Sequence, residues 1–468
     1  EYFDINVIED GTVKVEMYNI ENGNKGKWLL YSRTFYKDET DEIRLFGLGD
    51  NDIFNISGMN KSSINIRIFS GSGKDSIINK SAAHIEVYDK GNKTKILAEN
   101  DNVDFIKSFD EDLYSYNRTK FAYNTYFPLP YISYGADDGF IFNFSIDFVT
   151  HSFDKKDYSA KHKFKIAGTT AASFGVEYNG RFHHTLGNWD LTISGHYNYP
   201  LTYTYFYGFG NNSPKDENKY LNNFYRTRYN SKGLSLGIIK DFWKVSSFSI
   251  KLNYENNERQ LDIDNTIFST EKFIGLDKIN LVEAITALDI DFRDNSSFPT
   301  SGTRLYTEYS NGFITNLDNN NYGKLTVIAE GYISTKLLLP VTLGLKAGGG
   351  ESYGEIPFYH QFTLGQNNYL KGFRNNRFTG EGMLFYQTEL RMSLFDIEDA
   401  FVPLNFGVTG FFNSGQIIEN NSISSNWHNG YGFGIYVIPL RKDFTINTTF
   451  GFSKEESMLI ELGLGTSL

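Results

Sequence analysis

From Pro128 to Leu468 the chain alternates apolar and polar residues with a period of two, segment after segment. Leu288, Ile290 and Phe292 fall on one side, with Asp289, Asp291 and Arg293 on the other. Leu384, Tyr386, Leu390, Met392 and Leu394 oppose Gln387, Glu389, Arg391 and Ser393, and Tyr431, Phe433, Ile435 and Val437 oppose Gly432, Gly434 and Tyr436. The last such segment sets Met458, Ile460, Leu462, Leu464 and Leu468 against Glu461, Gly463, Gly465 and Ser467. Period two belongs to a β-strand whose two faces meet different surroundings. The pattern predicts an antiparallel sheet with no helical segment.

A soluble sandwich alternates too, with its apolar face inward. Two features favour a membrane barrel. Glutamates and arginines recur beside glycines on the non-apolar face, and aromatics crowd strand ends, as at Tyr197, Tyr199, Tyr203, Tyr205, Phe206, Tyr207 and Phe209, where an interfacial girdle belongs. Spans of roughly 9–11 residues with their turns fit about 14–18 strands here. No run of 18 apolar residues occurs, which excludes a membrane helix but not a barrel.

Residues 1–105 have shorter-paced strands and an internal echo. Ile43-Arg44-Leu45-Phe46-Gly47-Leu48-Gly49 returns 23 residues later as Ile66-Arg67-Ile68-Phe69 followed by Gly71-Ser72-Gly73-Lys74-Asp75. A small β-sandwich or prism is the expectation. The glycine–aspartate turns are similar to those of calcium-binding β-rolls, but two imperfect turns lack the stacked repeats such sites need, so ordinary turn chemistry is the favoured reading. Residues 106–127 read as a linker, which makes 1–105 a periplasmic β-domain and 128–468 the barrel.

Composition narrows the function classes. The chain of 468 residues has no cysteine, so disulfides and thiolate metal sites are unavailable. A net charge of −11, spread along the chain, argues against a nucleic-acid partner. The eight histidines show no metal spacing with carboxylates, and His183 and His184, as strand neighbours, are expected on opposite faces. No G-x-S-x-G or P-loop motif occurs. The expectation is a non-enzymatic protein without metal or cofactor.

The most unusual segment lies between two alternating stretches: N-N-Y-L-K-G-F-R-N-N-R-F-T-G, residues 367–380. Its cations Lys371, Arg374 and Arg377 surround Gly372 and aromatics. Composition alone suits a solvated loop or, given the backbone freedom of Gly372 and Gly380, a folded-back tip.

Here the chain resembles the outer-membrane-protein-85 superfamily of BamA- and TamA-like insertases and translocators. Leu370-Lys371-Gly372-Phe373 is similar to its V-R-G-F/Y loop motif. Asp291-Phe292-Arg293-Asp294-Asn295 with Phe298-Pro299-Thr300-Ser301-Gly302 resembles its D-x-R-D-N-x-x-F-P-T-x-G hairpin. Glu389 stands where the family has a lumen-facing glutamate, and Phe411-Phe412-Asn413-Ser414-Gly415 matches F-x-D-x-G. The resemblance implies sixteen strands and a loop folded into the lumen, with Lys371 facing Glu389 and Asn413. Lysine for arginine and asparagine for aspartate imply a looser brace, since lysine cannot form the planar bidentate pair; Arg374 or Arg377 is an alternative fork.

Pro128 and Pro130 fall at the expected first barrel strand and Gly463 and Gly465 in the last. Prolines two apart delete donors from one edge, and glycines weaken a strand interior, so a weak first–last seam is expected; the alternative is that the prolines merely precede the strand. The implied role is insertion or translocation of unfolded or secreted proteins, or lipids, at the outer membrane. A periplasmic lipoprotein or a second copy is an expected partner. The rival readings are a solute channel and the membrane anchor of an enzyme: residues 1–105 and the following P-L-P-Y-I-S-Y resemble the segment joining a phosphoesterase to a barrel in Bacteroidota members. No POTRA repeat is recognisable, and Glu1 with no signal-like segment reads as a trimmed or POTRA-less chain.

Overall fold

A computed structural model describes the chain except for residues 92–93, 99–101, 110, 118–121, 136–138, 154, 156, 171–172, 200–203, 244, 260–263, 270–272, 318–320, 337, 398–402, 420–421, 424, 441 and 465–468. It divides into two compact units, 1–123 with 152–157, and 124–151 with 158–468.

The first unit begins with antiparallel strands Tyr2–Glu9, Thr12–Glu21 and Asn24–Tyr36. It then winds as a parallel solenoid of two facing sheets, where the sequence led to a small sandwich or prism. Glu42–Phe46, Asn65–Phe69, Ile85–Asp89 and Val103–Lys107 stack in one sheet, and Ile53–Ser57, Ser76–Asn79 and Lys95–Ala98 in the other. The 23-residue echo is the cause. Ile43 lies on Ile66, Arg44 on Arg67 and Phe46 on Phe69, so each repeat pairs edge to edge with the next and like residues stack in columns. Ile43, Phe54, Ile66, Ile77 and Ile85 form the core between the sheets.

The second unit is a closed barrel of sixteen antiparallel strands. Its first half is β1 (Thr125–Gly135), β2 (Gly139–Thr150), β3 (Ala160–Thr169), β4 (Ser173–Leu186), β5 (Trp189–Tyr199), β6 (Tyr229–Phe242), β7 (Ser246–Arg259) and β8 (Ile279–Asp291). The second half is β9 (Gly302–Ile314), β10 (Asn321–Lys336), β11 (Pro340–Gly354), β12 (Gly382–Ile397), β13 (Leu404–Glu419), β14 (His428–Pro439), β15 (Ile446–Ser453) and β16 (Leu459–Leu464). Apolar side chains point outward: Phe142, Leu234, Leu252, Leu390 and Phe433 are exposed, while Gln387, Glu389, Arg391 and Thr449 are buried in the lumen. This inversion of a soluble core is what a lipid-facing sheet requires. The three longest connections, 200–228, 260–278 and 355–381, leave from the same end of the barrel.

The aromatic run after β5 divides. Tyr197 and Tyr199 are exposed on the strand, but Tyr205, Phe206 and Tyr207 are not girdle residues. They are buried in the long connection, where Phe206 packs with Phe268 and Phe358. Rings enough to build a loop core found one another instead of the interface. Tyr203 lies outside the described residues.

Candidate functional site

The connection between β11 and β12 folds inward. Phe362–Leu364 pairs with Phe378–Gly380, and the tip turns where the Leu370 N–H reaches the Gly365 carbonyl at 3.0 Å. Leu364, Leu370, Phe373 and Phe378 bury themselves with Phe385 and Ile417 of the wall. Tyr369 stacks on Phe385 with ring centres 3.9 Å apart. Burying this many apolar groups is what draws a polar-looking loop out of water.

Glycines set how closely the tip approaches the wall. Gly372 has φ +88°, and a Cβ there would stand 2.4 Å from the Phe452 carbonyl oxygen of β15. From the wall side, a Cβ on Gly430 of β14 would meet the Lys371 carbonyl oxygen at 1.9 Å. The loop backbone thus rests on wall backbone.

All three tip cations reach the last hairpin. Lys371 Nζ is 3.4 Å from Glu461 Oε2, and Arg374 Nε donates to Glu456 Oε1 at 3.2 Å. Arg377 forks onto Glu455, Nε to Oε2 at 2.6 Å and Nη2 to Oε1 at 2.9 Å, and also donates to the Ser213 hydroxyl and carbonyl. Lys215 from the β5–β6 connection joins Glu456. The planar fork is therefore Arg377.

The expected pairing of Lys371 with Glu389 gives way to Glu461. Glu389 is fully buried and has a nearer cation on its own strand: Arg391 Nε lies 2.8 Å from its Oε1, an ion contact without hydrogen-bond alignment. Asn413, opposite Gln387 and Gly430, is buried beside the Lys371 carbonyl, with its Oδ1 2.8 Å from the Cβ point over Gly430. Lys371 itself lies over the Phe411 ring. Asn413 supplies no ion pair; it lines the seat.

The other end of the lumen is occupied by the hairpin 292–301. Arg293 clamps Asp291 (Nη2–Oδ2 2.7 Å) and reaches Glu330 at 2.9 Å, and Arg304 clamps Asp289 through two bonds of 2.8 Å. Phe298 lies beneath the Arg391 guanidinium at 4.3 Å. Within the turn, Asp294 accepts from the Thr300 hydroxyl at 2.5 Å and from the Thr300 and Ser301 N–H groups at 2.7 and 3.0 Å. Partial burial pulls this carboxyl upward, but those bonds and nearby Lys442 hold it down to about 2.

Pro128 and Pro130 lie inside β1, opposite Ile146 and Phe144 of β2, and do not merely precede the strand. The ladder to β2 is unbroken from Thr125 to Gly135. Proline has no N–H, so odd-numbered residues carry that ladder and both prolines turn their nitrogens toward the opposite edge. On that edge β16 waits. It pairs with β15 along its whole length, Leu459 to Leu464, yet among the described residues it meets β1 only at Leu462 opposite Tyr134. Gly463 belongs to this strand, and Gly465 lies outside the described residues.

One sequence expectation about histidines fails. His183 and His184 stack on the same side, ring centres 3.8 Å apart, because the β4–β5 ladder shifts register beyond Phe182 and His184 takes φ +46°. Asp190 comes within 2.9 Å of His183 Nδ1, so two imidazoles and a carboxylate do meet. Its oxygens also accept from Arg181, Tyr158 and the His184 N–H, which makes it the hub of the turn.

The Omp85 superfamily domain matches residues 168–467. Among solved structures, the chain is similar to BamA from Haemophilus ducreyi lacking POTRA domains 1–3, at 12% identity and a TM-score of 0.52 over 78% of this chain and 73% of that one. It is also similar to CdiB from Escherichia coli, at 11% identity and a TM-score of 0.50 over 79% of this chain and 66% of that one. No functionally curated protein matches the sequence.

Proposed function

Because this chain belongs to the Omp85 superfamily of outer-membrane β-barrels, we propose that it inserts or translocates protein substrates by parting β1 from β16. The observation that carries this reading is that, among the described residues, β16 pairs with β1 at Tyr134–Leu462 alone while it pairs with β15 from Leu459 to Leu464. Two prolines on the facing edge leave few donors to extend it. Opening costs little in backbone hydrogen bonds, and the exposed edges would accept a substrate strand by β-addition. The last hairpin is meanwhile held from the lumen through Lys371, Arg374 and Arg377. The cationic tip thus acts as a brace that keeps the closing hairpin in place while the seam works. An unfolded barrel protein or a secreted chain is the substrate class, with a lipoprotein or a second copy as accessory.

A disulfide between Tyr134→Cys and Leu462→Cys tests it, since residues facing each other in a ladder lie within bridging distance and no native cysteine competes. The protein is reconstituted in vesicles and offered an unfolded outer-membrane barrel protein. Loss of assisted folding on oxidation, reversed by reductant and absent from a Val408→Cys/Ile435→Cys control staple, supports the gate. Unchanged activity of the locked seam refutes it.

A further inference from the structure

The N-terminal solenoid has one corner whose chemistry its packing does not explain. The strand ladders put Ile53 beside Ser76 and Ser76 beside Lys95, so the residues just before them, Asp52, Asp75 and Thr94, stack in a column. Across the same corner Gly47, Ser70 and Asp89 form a second column, the Gly47 N–H bonding to Phe69 and the Ser70 N–H to Tyr88. Asp52, Asp75 and Asp89 are 0%, 1% and 2% exposed.

Some of their oxygens are accounted for. Asp75 Oδ1 accepts the Asp52 N–H at 2.9 Å, Asp52 Oδ1 is 2.5 Å from the Glu1 ammonium, and Asp89 Oδ1 accepts from the Ser70 hydroxyl at 3.2 Å and the Gly91 N–H at 3.3 Å. Asp52 Oδ2 and Asp75 Oδ2 are buried without any hydrogen-bond partner. A carboxylate oxygen in that state needs a cation or a proton.

On the Asp52 side the backbone makes room for that free oxygen. Asp52 Oδ2 and the Ser70 carbonyl oxygen converge over Gly47, each 2.7 Å from where a Cβ would stand. Leu48 at φ +61° and Asp50 at φ +71° hold left-handed conformations that side chains other than glycine seldom take. The glycine–aspartate turns looked too few for a metal in the sequence. The stack that was missing there is present in the fold.

We propose that this corner binds a calcium ion between the Asp52 and Asp75 carboxylates, with the Ser70 carbonyl as a further ligand. The donors are all oxygen, which disfavours zinc and copper. A site supplying backbone carbonyl and carboxylates from a dry interior suits calcium better than magnesium, which keeps its waters.

The test uses the full chain in detergent, stripped with EDTA and titrated with calcium chloride by calorimetry, with amide exchange read over residues 42–107. Saturable binding is expected, with a dissociation constant at or below about 1 mM, and roughly tenfold slower exchange in that segment. Asp52→Asn and Asp75→Asn each abolish the calcium response, whereas exposed Asp38→Asn leaves it intact. In EDTA, Asp75→Asn slows exchange relative to the parent, because it removes an uncompensated charge; this readout stands even if calcium binding is lost through altered packing. No saturable heat and no change in exchange up to about 10 mM calcium overturns the proposal, as does calcium binding that survives in the double variant.

Discussion

Arg377 of the inward loop and Glu455 of the β15–β16 turn form a bidentate ion pair, buried on the arginine side, across 78 residues of sequence. The guanidinium is 3% exposed and shares its remaining donors with Ser213. Arg377→Ala leaves Glu455 without its partner and should destabilise the barrel by about 3–5 kcal/mol, the range for breaking a buried pair. Arg377→Lys keeps the charge but loses the fork, for a smaller cost of about 1.5–3 kcal/mol. Urea unfolding in lipid vesicles, followed by tryptophan fluorescence, measures both. Equal losses in the two variants would mean that the fork carries the whole effect, whereas a parent-like Arg377→Lys would mean that charge alone matters.

Gly372 offers a second test, through protease access. Trypsin cuts after lysine and arginine, and the loop presents three such sites, all held against the wall. Gly372→Ala places a side chain 2.4 Å from the Phe452 carbonyl oxygen at a left-handed φ. Gly430→Ala acts from the other side, against the Lys371 carbonyl. Each should release the tip and speed cleavage at Lys371, Arg374 or Arg377 by about tenfold or more, since local opening sets the rate. Parent-like resistance in both variants would show that the tip does not rest on the wall through these two glycines.

How much of this was legible beforehand depends on the reach of each interaction. The barrel was written in a period of two, and Glu389, Arg391 and Glu461 were placed on the inward face by parity alone. The inward loop was legible only through its motif, because composition fitted a solvated loop as well. Its partners were not. Glu455 and Glu456 lie in a turn 78 and 82 residues away from Arg377 and Arg374, where no spacing rule reaches. A sharper signal was available in Lys454-Glu455-Glu456, a paired acidic turn directly before the closing strand. The solenoid announced itself as a 23-residue echo, but an echo does not distinguish two stacked parallel coils from two antiparallel hairpins. The histidine pair misled because a left-handed residue at His184 breaks the alternation that the rule assumes.

The Asp294 turn predicts an acid response. Its carboxyl is held near 2, below the ordinary 3.8, by hydrogen bonds that win over burial. A depressed carboxylate contributes stability that is full above its unfolded value and is lost as pH falls through the folded one. Exchange protection of the Thr300 and Ser301 N–H groups, which Asp294 accepts, should therefore hold at pH 5 and fall as pH drops from about 4 toward 2. Asp294→Asn should flatten that dependence. A profile unchanged by the substitution would assign the acid response to another group.

The lumen contents separate a gated insertase from a solute channel. Charge pairs around Arg293, Arg304 and Glu330 occupy one end, and the tip with its aromatic neighbours occupies the other. An ion crossing there would have to break buried pairs one after another. In planar bilayers the parent chain should therefore stay near the closed level, with brief openings at most. Combining Arg293→Ala with replacement of residues 366–377 by a glycine–serine linker should produce steady conductance, because together they loosen both ends of the lumen. Arg293→Ala alone should leave conductance low, since the tip still blocks the other end. Stable large conductance in the parent would favour the channel reading and reduce the brace to a structural tie.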